Sequence, residues 1–531
     1  MNAPKPGRRS LFVLAAALLL VAAVTTQCSK LQSSAHRPYR ASVAQAEIAR
    51  ETYEIEVEEK EEPNDPASVS QACEQRGTDG ANKGVPRAQA AAERPFVAAS
   101  NDPKSTVSID VDTASYSLVR NYLLRAKTAP PTDVVRIEEL LNYFDYGVEG
   151  PRDAAPLAVH TEVSPAPWAP GHDVVRIAIQ GRRVEADSLP PANLVFLLDV
   201  SGSMNHPTKL PLLRASMNTL TKRLRPQDRV AIVVYAGAAG LVLPSTPGSQ
   251  RGKILAALER LEAGGSTAGA AGLKLAYKVA RDNFIERGTN RVIIATDGDF
   301  NVGPSSREAL VKLISKQRKS NVFLSVLGFG MGNYRDGAMQ ELADRGNGNH
   351  AYIDTITEAH KVLARQLGST LFTIAKDVKV QVRFDPKQVK RWRLIGYDNR
   401  VLAHRDFNDD TKDAGELGAG HAVTYLYEIE RRGDSETDDL LKVRLRYKEP
   451  TASVSRLIEK PARTVSSGAR SGSNAMQWAL AVAEAGLVWR DSKYKGAASL
   501  AGAQRRAQAA LGSDPHGDRA GFVQMLVAAQ R

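Results

Sequence analysis

Only two cysteines, Cys28 and Cys73, occur in the 531 residues. That scarcity excludes a C-x-x-C redox or zinc motif and a disulfide framework. Cys73 lies in a polar stretch, so it is not a packed core thiol. Aromatic residues are also sparse, at 6%. They do not interleave with the basic residues as base-stacking platforms would, which argues against nucleic acid as a partner. The formal net charge of +12 is dispersed along the chain rather than gathered in a stripe. Such a surface suits solvation and contact with anionic envelope polymers or lipids. Beyond the first 30 residues there is no apolar run long enough to span a bilayer. Catalytic signatures are missing too. Gly248–Lys253 is one residue short of a phosphate loop, and Ile254 stands where Ser or Thr is needed. Asp297–Glu308 mimics a calcium loop but has Val302 at the position that requires glycine. There is no G-x-S-x-G elbow at the candidate serines, and no residues near His421 complete a triad.

What is present begins at the N-terminus. Lys5, Arg8 and Arg9 precede an apolar stretch, Leu11 to Val24, of signal-peptide length. Cys28 follows it closely, as in a bacterial lipoprotein processing site, although Gln27 replaces the usual small residue. Lipidation at Cys28, cleavage near Ala23 and an uncleaved anchor all remain open. Residues 29–101 hold an acidic run, Glu51 to Asp65, and few large apolar side chains. Such a composition cannot offset its ordering entropy, so the stretch is expected to be a disordered tether.

The most informative segment is Leu194–Leu198, an unbroken apolar run followed by Asp199-Val200-Ser201-Gly202-Ser203. A run of this kind reads as the buried central strand of a parallel sheet. Ligands of open α/β sheets bind beyond the carboxyl ends of the strands. One carboxylate with two hydroxyls is a hard ligand set, suited to Mg²⁺, Mn²⁺ or Ca²⁺ rather than zinc. The Gly264–Gly269 loop offers Thr267 as a further hydroxyl, and a second buried strand, Arg291 to Ala295, leads to Asp297. Asp299 is expected to be a turn residue, and His206 to face solvent. Ser201, Ser203 and Thr267 also qualify as helix caps, a role compatible with ligation.

In order and spacing, Asp199, Ser201, Ser203, Thr267 and Asp297 resemble the metal-ion-dependent adhesion site of von Willebrand factor type A domains. Further resemblance lies in Ser108–Ser117, Val135–Tyr146 and Pro167-Trp168 on one side, and in Gly418–Thr424 and Asp514–Arg519 on the other. These stretches are similar to the YfbK-like, signal-bearing type A proteins over residues 102–530. The resemblance implies a type A domain between an N-terminal accessory region and a C-terminal region of unassigned function.

The expected architecture is therefore α/β, a doubly wound, mostly parallel sheet. The signal is placed at 1–28, the tether at 29–101, an α/β accessory domain at 102–185, the type A domain at 190–370 and a β-plus-helical domain at 376–531. Within these, strands are expected at 194–199, 229–236, 240–243, 291–297, 322–328 and 350–353, and a helix over 356–375. Asp112–Ser115 is expected to cap a helix through Arg125 rather than to form a second metal site. The functional expectation is a non-enzymatic protein of the bacterial envelope, tethered to the membrane. One divalent ion would bind a carboxylate from a protein partner. The alternative is a structural scaffold of an envelope complex in which the metal is incidental. The residues leave oligomeric state open.

Overall fold

The computed structural model describes residues 93–531, apart from 110–111, 267–268, 299–306, 331–335, 367–371, 413, 434–438, 451 and 464–471. Sixteen strands are described. In chain order they are β1 (Val97–Ala98), β2 (Lys104–Ser108), β3 (Leu157–Pro165), β4 (His172–Gly181), β5 (Ala192–Asp199), β6 (Arg229–Tyr235), β7 (Ala239–Pro247) and β8 (Thr289–Thr296). Then follow β9 (Phe323–Phe329), β10 (His350–Ile353), β11 (Thr373–Phe384), β12 (Val389–Ile395), β13 (Gly415–Gly418), β14 (Ala422–Arg431), β15 (Asp439–Lys448) and β16 (Arg456–Arg463).

The middle of the chain forms a six-stranded sheet in the order β10-β9-β8-β5-β6-β7, parallel except for β7 at one edge. The uniform apolar character of β5 follows from this placement. Leu194, Phe196 and Leu198 pack into one helix-covered core, while Val195 and Leu197 pack into the core on the opposite face. Both faces are buried, so the alternation of a half-exposed strand has no place there. Helices Leu210–Thr221 and Arg251–Glu259 supply side chains to the first core, and Gly269–Asp282 and Asp336–Arg345 to the second. Gly272 lets its helix approach closely, because a Cβ there would stand 2.9 Å from Cβ of Tyr235. The edge strand β7 runs past Pro244, where it was expected to end, to Pro247. An edge tolerates proline because no neighbour needs the missing donor.

The flanking stretches do not form two separate sheets of their own. β1 and β4 join β12 and β14 in a five-stranded antiparallel sheet, β1-β12-β14-β4-β3. β2 pairs with β11 in the sheet that also holds β13, β15 and β16. Residues 102–185 and 376–531 thus share both sheets. Val175, Ile177, Val380, Val382, Tyr425 and Val443 fill the core between them. The outer face of the first sheet, with Val174, Ile395 and Leu426, packs on a helical layer. That layer is built from Ala114–Asn121, Ile137–Asn142, Asn474–Trp489, Leu500–Ala509 and Asp518–Ala528.

Three expectations need correction. The tether was placed as far as residue 101, yet Val97 and Ala98 pair with β12, and the Phe96 ring stands 5.7 Å from that of Tyr494. The expected helix over 356–375 covers only Ile356–His360, extended by a wider turn through Arg365. Thr373 already begins β11, since its β-branched and apolar neighbours find antiparallel partners in β13. Nor does Asp112–Ser115 cap its helix through a side chain. Asp112 instead accepts the His350 amide at 2.8 Å and Arg400 at 3.1 Å, tying the flanking region to β10. Glu139 accepts the Ser115 N–H at 2.7 Å and so serves the helix start. Among the described residues, no helix is long and apolar enough to cross a membrane.

Candidate metal centre

Parallel pairing of β5 with β6 and β8 brings three carboxyl ends together. Asp199 ends β5, and Asp297 follows Thr296 at the end of β8. Asp199 is fully buried, yet its hydrogen-bond donors are neutral. The Ser201 amide reaches Oδ1 at 2.9 Å, while the Tyr235 hydroxyl and the Thr296 hydroxyl reach Oδ2 at 3.0 and 3.2 Å. Burial pushes its carboxyl above the ordinary value, and the nearby Asp297 charge adds to the rise, against the lowering bonds from Ser201 and Tyr235.

A short 3₁₀ turn, Gly202–Met204, carries the hydroxyls. The Ser201 and Ser203 Oγ atoms lie 3.0 Å apart. Two adjacent ligands of an octahedral ion at about 2.1 Å would lie about 3.0 Å from each other, so this spacing fits Mg²⁺ or Mn²⁺. The turn is held by its surroundings. Gly202 N–H donates to Gly265 O at 3.1 Å, Gly264 N–H to Val200 O at 2.8 Å, and Val200 N–H to Tyr235 O at 3.1 Å. These bonds seat the Gly264–Gly265 loop beside the turn. Thr267 and Asp299 lie outside the described residues, as does Cys28. Ser203, Asn205 and His206 are exposed, so the site has a solvent-facing rim. His206 bonds its neighbour Thr208, at 2.9 Å.

Sequence reasoning missed Lys209. Its Nζ donates to Asp297 Oδ2 at 2.9 Å and to Ser203 O at 3.0 Å. A lysine six residues after the last serine carries no ligand signal, so only the fold reveals it.

Other clusters fit chemistry less well. The described residues hold no group of three or more His, Cys, Asp or Glu placed to bind a metal. A cavity of about 890 Å³ opens at the far end of the sheet, against Gly288, Thr289, Asn321 and Phe323. Thr106, His404 and Asp102 form a hydroxyl–imidazole–carboxylate chain, with 2.9 and 2.8 Å contacts. Thr106, however, is fully buried within β2 and also accepts from Gln381 at 3.1 Å. A hydroxyl sealed in a sheet cannot meet a substrate, so this chain is structural.

The family model described as von Willebrand factor type A domain matches residues 194–299, and one described as von Willebrand factor matches 86–176. The model described as uncharacterized protein YfbK, C-terminal, matches 369–437 and 430–531. Uncharacterized protein YfbK of Escherichia coli is 39% identical over 484 residues, covering 86% of this chain and 84% of its own length. The chain belongs to the YfbK family. Uncharacterized protein sll0103 of Synechocystis is 29% identical over 185 residues, 35% of this chain and 43% of that protein. A solved von Willebrand factor type A protein from Catenulispora acidiphila is 16% identical, with a TM-score of 0.42, covering 72% of this chain and 98% of its own. Like its family, the chain carries a type A domain, which supports a coarse role in protein–protein interaction or adhesion.

Proposed function

We propose that this chain is a non-enzymatic protein of the bacterial envelope that captures a protein partner through a divalent ion. Asp199, Ser201, Ser203 and Asp297 would hold the ion, with Thr267 completing the set. The observation that carries this reading is Asp199, a fully buried carboxylate at the end of a central strand whose donors are all neutral. An uncompensated buried charge is costly, and a cation relieves it. When bound, the ion would supply a Lewis-acidic position for an oxygen ligand from outside. The residues of the chain do the rest: Tyr235 and Thr296 orient the Asp199 carboxylate, and the exposed rim admits a macromolecule. Among the described residues, no imidazole is bonded to either hydroxyl, His206 being held by Thr208, which supports binding rather than turnover.

Titration of the purified protein with Mn²⁺ or Mg²⁺ tests the reading. Asp199→Ala is expected to abolish ion binding and chelator-sensitive capture of a partner crosslinked in cells. If ion affinity and capture are unchanged by that substitution, the metal reading fails. Capture that persists in EDTA would favour a scaffold instead. The envelope placement rests on the N-terminal signal, and mass spectrometry of the mature N-terminus tests the lipid tether. Acyl chains on Cys28 as the first residue are expected, and an unmodified Cys28 would eliminate lipidation there.

A further inference from the structure

We infer that Lys209 is the built-in counter-cation of this site, occupying the Asp297 carboxylate and thereby setting how tightly a divalent ion is held. The inference rests on the metal reading above. Lys209 starts the helix Leu210–Thr221, directly after the metal motif. Its ammonium bridges two segments of the site, Asp297 Oδ2 at 2.9 Å and Ser203 O at 3.0 Å. The paired side chains are only 16% and 3% exposed, so this is a partly buried ion pair rather than a surface contact.

The stem of Lys209 is guided there. It crosses Gly330, at the end of β9, where a Cβ would stand 2.5 Å from its carbons. Gly330 has a φ of +81°, which favours glycine independently of space. The route of the lysine is therefore built into the backbone of a neighbouring strand.

An ammonium has three donors and no acceptor, so it can pair with a carboxylate but can never ligate a metal. A divalent ion arriving at Asp297 meets a like charge already in place. The two carboxylates are consequently unequal. Asp199 has neutral donors and is left for the ion, whereas Asp297 is shared with Lys209. Two effects follow. Without the ion, Lys209 compensates Asp297 and ties the end of β8 to the turn carrying Ser203. With the ion, the retained lysine leaves surplus positive charge at the rim, which favours an anionic group on the partner.

The test uses the full chain purified in detergent, with Mn²⁺ as the probe and calorimetry as the readout. Lys209→Met keeps most of the stem and removes the charge. It is expected to bind Mn²⁺ about tenfold more tightly than the parent, from the loss of charge repulsion at short range. In EDTA the same variant should melt several degrees lower, because the buried Asp297 loses its ammonium partner. Saturating Mn²⁺ should close most of that gap. Lys209→Gln, which can still donate to Asp297 and Ser203, keeps the test open if the Met variant does not fold, and should also bind Mn²⁺ more tightly. Affinities within twofold of the parent, or weaker, in a variant that still needs Asp199 for binding would overturn the inference and leave the metal reading standing. If the parent itself binds no Mn²⁺ or Mg²⁺, the metal reading is lost and this inference goes with it.

Discussion

Acidic side chains are buried at several places in this molecule, and two of these places have opposite charge balance. At the junction of the type A domain with the helical layer, Asp354, Glu358 and Asp518 meet Arg120, Lys361 and Arg365. Arg120 donates to Asp354 and, at 2.7 Å, to Glu358, with its guanidinium 5.4 Å from the Tyr116 ring centroid. Lys361 lies 3.0 Å above the Tyr143 ring centroid, donates to Tyr143 O at 2.6 Å and stands 3.4 Å from Asp518. Arg365 bonds both oxygens of Asp518. Burial lowers Lys361 to about 8, against the pull of Glu358 and Asp518. For Asp518, burial acts upward but is outweighed by Lys361 and Arg365, so its carboxyl sits below the ordinary value. Three acids face three bases, so the cluster is complete without a ligand. Among the described residues at the top of the six-stranded sheet, two acids, Asp199 and Asp297, face one lysine, Lys209. Asp199 is pushed upward by burial instead. Charge balance, rather than burial, separates this structural joint from the proposed cation site.

The largest expected effect breaks the joint. Arg120→Ala leaves Asp354 and Glu358 buried without their guanidinium and should cost about 3–5 kcal/mol in urea unfolding. Mn²⁺ affinity should stay within about twofold, since the two places are charge-independent; a large loss would show that they are one system. Next, Asp199→Asn should weaken Mn²⁺ at least about a hundredfold, because even outer-shell changes cost 10- to 100-fold. The same variant should melt higher than the parent in EDTA, since it removes a buried, unbalanced charge. A lower melting point there would contradict the imbalance.

Glu138 offers a third test, away from both clusters. It is buried beside Glu139, and burial raises its carboxyl from 4.5 to about 7, with Glu139 adding to the rise. The folded state therefore binds the proton more tightly between those values. Stability from this group is full below about 4.5 and is lost as pH rises to about 7. Glu138→Gln should raise stability by about 3 kcal/mol at pH 8 and change little at pH 4.5, as thermal melts at the two values would show. A gain that does not depend on pH would point to packing instead. The smallest effect is expected from Tyr235→Phe, which removes one of the neutral donors to Asp199. Ion affinity should fall only a few-fold, in line with about 1 kcal/mol for one hydrogen bond.

Much of the fold was legible because burial on both faces leaves a simple signature. The strands at 194–199, 229–236, 291–297, 322–328 and 350–353 appear within two residues of their expected bounds. The long strands β3 and β4 were not anticipated, although Val174, Val175, Ile177 and Ile179 carried the signal. β3 pairs with β4, but the other partner of β4 is β14, some 250 residues further along the chain, as in the pairing of Tyr425 with Ile177. Apolar periodicity reports that a strand is buried, not which strand lies beside it. That is why the flanking stretches looked like two regions and turn out to share sheets.

The sequence by itself determined the central strand, the Asp199-Val200-Ser201-Gly202-Ser203 turn at its end and the acidic end of β8. Apolar runs and ligand chemistry are local properties, and they survive without knowledge of the neighbours. Tertiary structure alone decided which charges are paired. It set Arg120, Lys361 and Arg365 against the acids of the joint, left Asp199 with neutral donors, and led Lys209 across Gly330 to Asp297. Electrostatic compensation depends on distance and burial in space, and Lys209 and Asp297, 88 positions apart, meet only because the sheet sets β5, which leads to the first, beside β8, which leads to the second.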